Sequence, residues 1–250
     1  LVEATNGSVE IGGYDIVKQP IEAKSLIGLV PQELALMEEM TAYDNLLFFG
    51  SLYGLSYKVL KERINEALMA TGLMDRKKEK VKKFSGGMKR RLNIAAALMH
   101  HPRILIMDEP TVGVDPQSRN HIFEFTKKIC KERNTTVIYT SHYMEEIEEL
   151  CSKVFIMDLG KEIASGSQEQ IKSLSGEQTK VILTVGHLSG EIVLKLRGLE
   201  GVSLVTEEGN QVTLTINKDF KLTSAIALLE SYSSQLQGIR YEEPRLEDVF

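Results

Sequence analysis

Residues 84–116 read FSGGMKRRLNIAAALMHHPRILIMDEPTVGVDP. Ser85, Gly86 and Gly87 open a run in which Met88, Leu92, Ala95 and Met99 recur on one face, the spacing of an amphipathic helix. Arg103 to Met107 then forms a short apolar strand of the buried kind, ending in the adjacent carboxylates Asp108 and Glu109. Acids at the carboxyl end of such a strand stand where open α/β sheets bind ligands. Working outward, further strands are expected at Ser25 to Val30, Thr135 to Ser141 and Lys153 to Asp158. They alternate with helical stretches, the pattern of a parallel sheet covered by helices. Between the first two strands lies a long helical block, Ala42 to Leu98, in which Leu60, Ile64, Ala67 and Leu68 keep helical spacing, so it reads as an insertion into the α/β core. Asp158-Leu159-Gly160-Lys161 is a hairpin turn joining Val154–Met157 to Glu162–Ala164.

Beyond Ser173-Leu174-Ser175-Gly176, read as a linker, the pattern changes. Val212, Leu214 and Ile216 alternate with Thr213 and Thr215 after a Gly209-Asn210 turn, as in a half-buried antiparallel strand, and a helix is expected from Leu222 to Leu236. The expected division is therefore an α/β domain over 1–173, with its helical part at about 42–98, and a small α+β domain over 178–250.

The 250 residues are 42% hydrophobic and 26% charged, the balance of a globular chain. No apolar run reaches the roughly 20 residues that span a bilayer, and the first residues lack the basic and apolar regions of a signal peptide. A net charge of −5 argues against nonspecific nucleic-acid binding. The basic run Arg76 to Lys83 and the acidic run Glu145, Glu146, Glu148, Glu149 read as solvated faces. Cys130 and Cys151 are too few and too far apart for a disulfide framework and read as reduced, buried fillers. The chain opens on Leu1 without a methionine and stops at Phe250 within a polar–apolar pattern, which reads as a fragment.

Several side chains can carry chemistry. Asp108 suits a magnesium ion held through water, and Glu109 can polarise an attacking water in phosphoryl transfer. Gly86 and Gly87 let backbone N–H groups approach an anion such as a γ-phosphate at a helix N-terminus. His142 follows a strand that ends on the same sheet edge and can bond a phosphate oxygen, while Gln32 offers an amide that can touch magnesium or water. Taken singly, each also reads as ordinary structure: a strand-end acid pair before Pro110, a serine N-cap with a glycine turn, a structural histidine, a surface glutamine.

Their order and spacing together resemble the ATP-binding cassette (ABC) ATPases. Gln32 matches the Q-loop, Phe84 to Met88 the signature, Ile104 to Glu109 the Walker B strand, Gly113 to Pro116 the D-loop and His142 the switch histidine. The resemblance covers residues 1 to about 170, and the tail is similar to the C-terminal domain of the bacterial drug-exporter branch. Phe84 and Met88 replace the commoner Leu and Gln, while the serine and both glycines are kept. The Walker A pattern GxxxxGK[ST] is not found in the 250 residues: the only Gly-Lys pair, Gly160-Lys161, has Phe155 in place of the first glycine and Glu162 in place of the hydroxyl.

The resemblance implies an α/β fold of the P-loop NTPase type, mostly parallel, with a helical insertion but without its N-terminal strand and phosphate loop, plus a small C-terminal α+β domain. It implies ATP and Mg²⁺ as cofactors, with Glu109 and His142 catalytic, Gln32, Ser85, Gly86, Gly87 and Asp115 touching nucleotide, and Asp108 and Gln32 touching metal. A second ABC ATPase subunit, head to tail, and a membrane permease are the implied partners, nucleic acid is not, and the implied location is cytoplasmic, on the inner face of the membrane. ATP hydrolysis by the chain alone is not expected. Family topology puts the missing strand between Thr135–Ser141 and Lys153–Asp158, so unpaired strand edges and low solubility are expected. A soluble ABC-type ATPase unconnected with transport, or a non-catalytic dimerising fragment, are the alternatives.

Overall fold

The structure, a computed structural model, describes residues 4–174, 179–242 and 245–249. Its contacts divide the chain into two units, Leu1–Leu150 and Cys151–Phe250.

In the first unit a short hairpin, β1 (Glu10–Ile11) and β2 (Tyr14–Asp15), leads into α1 (Pro20–Ser25). Pro20 presets the helical φ of the first turn. Ser25, expected to begin a strand, instead ends this helix; the strand that follows is β3 (Ile27–Val30). The helical block comprises α2 (Ala42–Ser51), α3 (Tyr57–Ala70) and α4 (Gly86–Ala97), with two 3-10 turns between the last two. Thr41 caps α2 by accepting from the Asp44 amide at 3.1 Å. Leu60, Ile64, Ala67 and Leu68 are the buried face of α3, and they share one core with Leu46 of α2 and with Leu92, Ala95 and Met99 of the α4 region.

Strand β4 (Ile104–Asp108), helix α5 (Pro116–Arg133), strand β5 (Thr136–Thr140) and helix α6 (Met144–Leu150) complete the unit. Helix α5 starts on an Asp115 cap with proline at its first turn and ends at Asn134 in the left-handed conformation, φ 53°. Its buried face is Ile122, Phe123, Phe125, Thr126 and Ile129. Cys130 lies off that face and is exposed, contrary to its reading as a buried filler; both cysteines are free thiols.

The parallel sheet runs β3–β4–β5, with Ile106 paired to Leu29 on one side and Ile138 on the other. One face packs Val30, Leu105 and Met107 against α4 and α5. On the other, Leu29 is 57% exposed and Ile138 50% exposed, whereas parallel sheets are ordinarily covered on both faces. Among the described residues β5 makes no second ladder. The isolated 250 residues are therefore expected to self-associate between about 1 and about 100 µM, a range in which exposed apolar surface and free strand edges drive association. Replacing both Leu29 and Ile138 by Thr should shift light scattering toward monomer without lowering the melting temperature. A wild-type chain that stays monomeric throughout would refute this.

In the second unit, β6 (Lys153–Asp158) and β7 (Lys161–Ser167) form the expected hairpin, followed by α7 (Gln168–Leu174). Ser173 and Leu174 of the expected linker are thus helical, while Ser175 and Gly176 fall outside the described residues. Then come β8 (Thr179–Val185), α8 (Gly190–Arg197), β9 (Val202–Glu208), β10 (Gln211–Ile216), α9 (Leu222–Ser231) and β11 (Leu236–Glu242). The antiparallel order β11–β8–β10–β9 is the βαββαβ arrangement of ferredoxin-like folds. Alternate residues Val181, Leu183 and Val185 pack with Val212 and Leu214 beneath Ile192, Leu196, Ala225 and Leu229 of the two helices.

Helix α9 stops at Ser231, short of the expected Leu236. Ser233 is left-handed at φ 54°, its amide bonds Glu230 O at 2.9 Å, and the Ser234 amide bonds Leu229 O at 3.0 Å. This Schellman closure ends the helix and frees Leu236 to pair with Val185.

Candidate functional site

Parallel pairing sets Asp108, the last residue of β4, opposite Thr140, the last of β5. The Thr140 hydroxyl donates to Asp108 Oδ1 at 2.6 Å and accepts from the Glu109 amide at 3.0 Å. Glu109 itself has φ 43°, a left-handed conformation costly for a residue with a Cβ and concentrated at functional sites. This turn aims its carboxylate at two partners: Gln32 donates its side-chain amide to Glu109 Oε2 at 2.8 Å, and His142 Nδ1 lies 3.2 Å from Oε1. Residues from the segments after β3, β4 and β5 thus converge on one carboxylate, whose side chain is 29% exposed.

A second carboxylate sits behind the first. Glu146, in α6, belongs to the acidic run read as solvated, yet it is 2% exposed. It accepts from the hydroxyls of Thr111 (2.7 and 2.9 Å), Tyr139 (3.0 Å) and Ser141 (2.9 Å), and Arg119 lies 3.7 Å away as an ion pair. Glu146 therefore ties the chain just after Glu109 to the chain just before His142. Glu146→Ala would strand three donors and a cation, and is expected to cost about 3 kcal/mol in urea unfolding. A loss below about 0.5 kcal/mol, the scale of an ordinary surface change, would refute that assignment.

The glycine turn is built differently at its two glycines. Ser85 caps α4 by accepting from the Met88 amide at 3.2 Å. Gly86 is exposed, and the nearest atom a Cβ there would meet is Gly113 O at 3.9 Å. Gly87 is buried, and a Cβ would meet Ser118 Oγ at 2.1 Å, Ser118 Cβ at 2.5 Å and Asp115 Oδ2 at 3.0 Å. Asp115 caps α5 through the Ser118 amide at 2.9 Å, and that bond holds its carboxyl below the usual carboxylate range. The starts of α4 and α5 are thus in direct contact, with room for hydrogen but not for methyl.

The sequence-expected residues form two groups. Gln32, Asp108, Glu109 and His142 make one, joined through Thr140; Ser85, Gly86, Gly87 and Asp115 make the other. Thr140 and Glu146 were not singled out in the sequence. A threonine and a glutamate carry no motif of their own, although Thr140 ends the strand that delivers His142. Among the described residues no three His, Cys, Asp or Glu side chains converge as a metal cage. The donors present still suit magnesium, which keeps several waters and takes one or two carboxylates plus phosphate oxygens. Asp108 offers the oxygen not bonded to Thr140, and Gln32, with its amide N–H on Glu109, offers its carbonyl.

Comparison with known proteins bears on the family of the chain. The family described as ABC transporter matches residues 1–112. The linearmycin resistance ATP-binding protein LnrL of Bacillus subtilis (strain 168) is 45% identical over 253 residues, which cover 100% of this chain and 81% of that protein. The daunorubicin resistance ATP-binding protein DrrA3 of Streptomyces coeruleorubidus is 30% identical, covering 100% of this chain and 79% of that one. Among solved structures, cbiO1 from Clostridium perfringens, part of the ABC transporter complex cbiONQ, shares the fold at a TM-score of 0.63 and 24% identity, over 80% of this chain and 75% of that chain. An ATP-binding subunit of an ABC transporter gives 0.60 at 25% identity, over 69% and 71%. Among the described residues no helix is long and apolar enough to cross a membrane.

Proposed function

Since the chain belongs to the ATP-binding subunits of ABC transporters, we propose that it serves a drug-resistance exporter, coupling ATP hydrolysis to efflux through a separate permease. Membership makes it an ATP-binding protein of the ABC ATPase class. The finer reading rests on one observation above all: the Glu109 carboxylate, on a strained turn, is held between Gln32 and His142 beside Asp108. In that place Glu109 acts as the base that orients and deprotonates the attacking water, with Gln32 fixing its position. His142 bonds the terminal phosphate and passes its position to Glu109. Asp108 and the Gln32 carbonyl would hold Mg²⁺, which when bound supplies neutralising charge to the phosphates. Water attacks the γ-phosphorus, the bond to the bridging oxygen breaks, and ADP and phosphate leave.

Ser85, Gly86, Gly87 and Asp115 face a different ATP, one bound by a partner subunit. An exposed serine and glycine at a helix N-terminus present N–H groups and partial positive charge to a phosphate. The protein works as a homo- or heterodimer on the cytoplasmic side of the membrane, bound to its permease. Within the 250 residues no GxxxxGK[ST] loop is present to hold the β- and γ-phosphates of an ATP at Glu109. These residues by themselves accordingly do not turn over ATP. Phosphate release by the purified chain measures this, and steady-state hydrolysis sensitive to Glu109→Gln would overturn it.

A further inference from the structure

Arg90, in α4, is 6% exposed, and among the described residues no carboxylate lies within ion-pair distance of it. Its fork is spent on main chain: Nη1 donates to Pro31 O at 2.9 Å and Nη2 to Gln32 O at 2.7 Å, while Nε is buried with no partner. A buried guanidinium carries a desolvation cost that an apolar side chain of similar size would avoid. Stability alone gives no reason to place it there.

Its neighbours on α4 act on the same stretch of chain. Asn93, three residues on and so on the same helix face, is 4% exposed and accepts from the Ala35 amide at 3.3 Å. Lys89 meets Glu38 at 2.5 Å. From the far end, buried Asn45 of α2 binds both the amide (2.8 Å) and the carbonyl (3.0 Å) of Met37. The segment from Pro31 to Glu38 has no regular structure of its own, so these tethers set its path. Arg90 holds the tether nearest to Gln32, whose side chain reaches Glu109.

We propose that Arg90 is a positioning residue that couples the glycine turn at the head of α4 to Gln32, making the two move as one body. The proposal rests on the reading of Gln32 and the glycine turn given above. Helix α4 is rigid from Ser85 to Arg90, little more than one turn, so a displacement of its head by a phosphate passes directly to the Pro31 and Gln32 carbonyls. A ligand at the turn is thereby felt at Glu109 without touching it. Lysine cannot replace the fork, because one ammonium on a flexible stem does not fix two carbonyls in one plane.

Hydrogen exchange of the 250-residue chain tests this at about 1 µM, where association is weakest. Arg90→Met is expected to speed exchange of the peptide spanning residues 32–36 about 10-fold, with Arg90→Lys in between, while α4 and β4 keep wild-type protection; in free-energy terms tenfold is about 1.4 kcal/mol. In wild type, adding an ATP-loaded subunit that has an intact phosphate loop should slow exchange at residues 32–36, and in Arg90→Met the glycine turn should be protected but not residues 32–36. Unchanged exchange in free Arg90→Met, or protection transmitted equally in wild type and Arg90→Met, overturns the proposal. A partner that gives no protection at the glycine turn counts against the reading of that turn, and the free-chain comparison then still decides the role of Arg90.

Discussion

An ATP-binding subunit with an intact phosphate loop and a disabled glycine turn is expected to regain ATP turnover when mixed with this chain, and Gly86→Asp in the chain is expected to remove at least about 99% of that gain. The expectation follows from the separation of the two residue groups. In the proposed division the glycine turn serves a nucleotide held by the other subunit's phosphate loop, so the lack of such a loop within these 250 residues does not disable it. Gly86 is exposed and a Cβ there meets no atom closer than 3.9 Å, so a substitution starts into open space and is expected to act on the approaching phosphate rather than on the fold. Aspartate sets a negative charge where the backbone N–H groups would receive an anion. The same mixture gives an internal control: Glu109→Gln in this chain should leave the restored turnover within about twofold, because the working base belongs to the other subunit. Equal loss from Gly86→Asp and Glu109→Gln would show that the two groups act on one nucleotide, and the proposed division would be wrong.

Glu109→Gln should become severe once a phosphate loop is supplied in cis. In a chain extended at its amino end by such a segment, kcat is expected to fall about 100- to 1,000-fold with KM for ATP changed less than about threefold. Glutamine keeps the size of the side chain and can still bond Gln32 and His142, so binding of nucleotide is spared. It cannot accept the proton of the attacking water. Loss of a group used only as water is deprotonated lowers kcat without weakening the ground state, whereas a collapse of the strained turn at φ 43° would raise KM as well. A large rise in KM with kcat retained would move Glu109 from catalysis to nucleotide binding.

The parts of this molecule visible in the sequence were those written as local pattern. Leu60, Ile64, Ala67 and Leu68 declared the buried face of α3, and the Arg103 to Glu109 run declared a buried strand with acids at its end. The convergence of Gln32, Glu109 and His142 was carried by motif order. What stayed hidden depends on contacts distant in sequence. Thr140 acquires its role only when β5 pairs with β4, 32 residues back from it at Asp108. Glu146 looked like one of four acids on a solvated face until Tyr139, Ser141 and Thr111 closed around it. Arg90 sits in a basic tripeptide and is the one of its three residues that is buried, Lys89 and Arg91 being partly exposed. Cys130 missed burial by a single position on α5, beside Ile129, and Ser233 ended α9 through a left-handed turn that serine seldom adopts.

The two adjacent glycines of the turn answer to separate demands. Gly87 is fixed by Ser118 and Asp115, its neighbours within this chain, while Gly86 has no such neighbour and is left to what arrives from outside. Two identical letters therefore hold different kinds of information, one a fact about internal fit and the other, in the proposed reading, a requirement set by a visitor. Reading them as one motif merges a rule of architecture with a rule of encounter, and it is at the second glycine that the architecture leaves no alternative spelling.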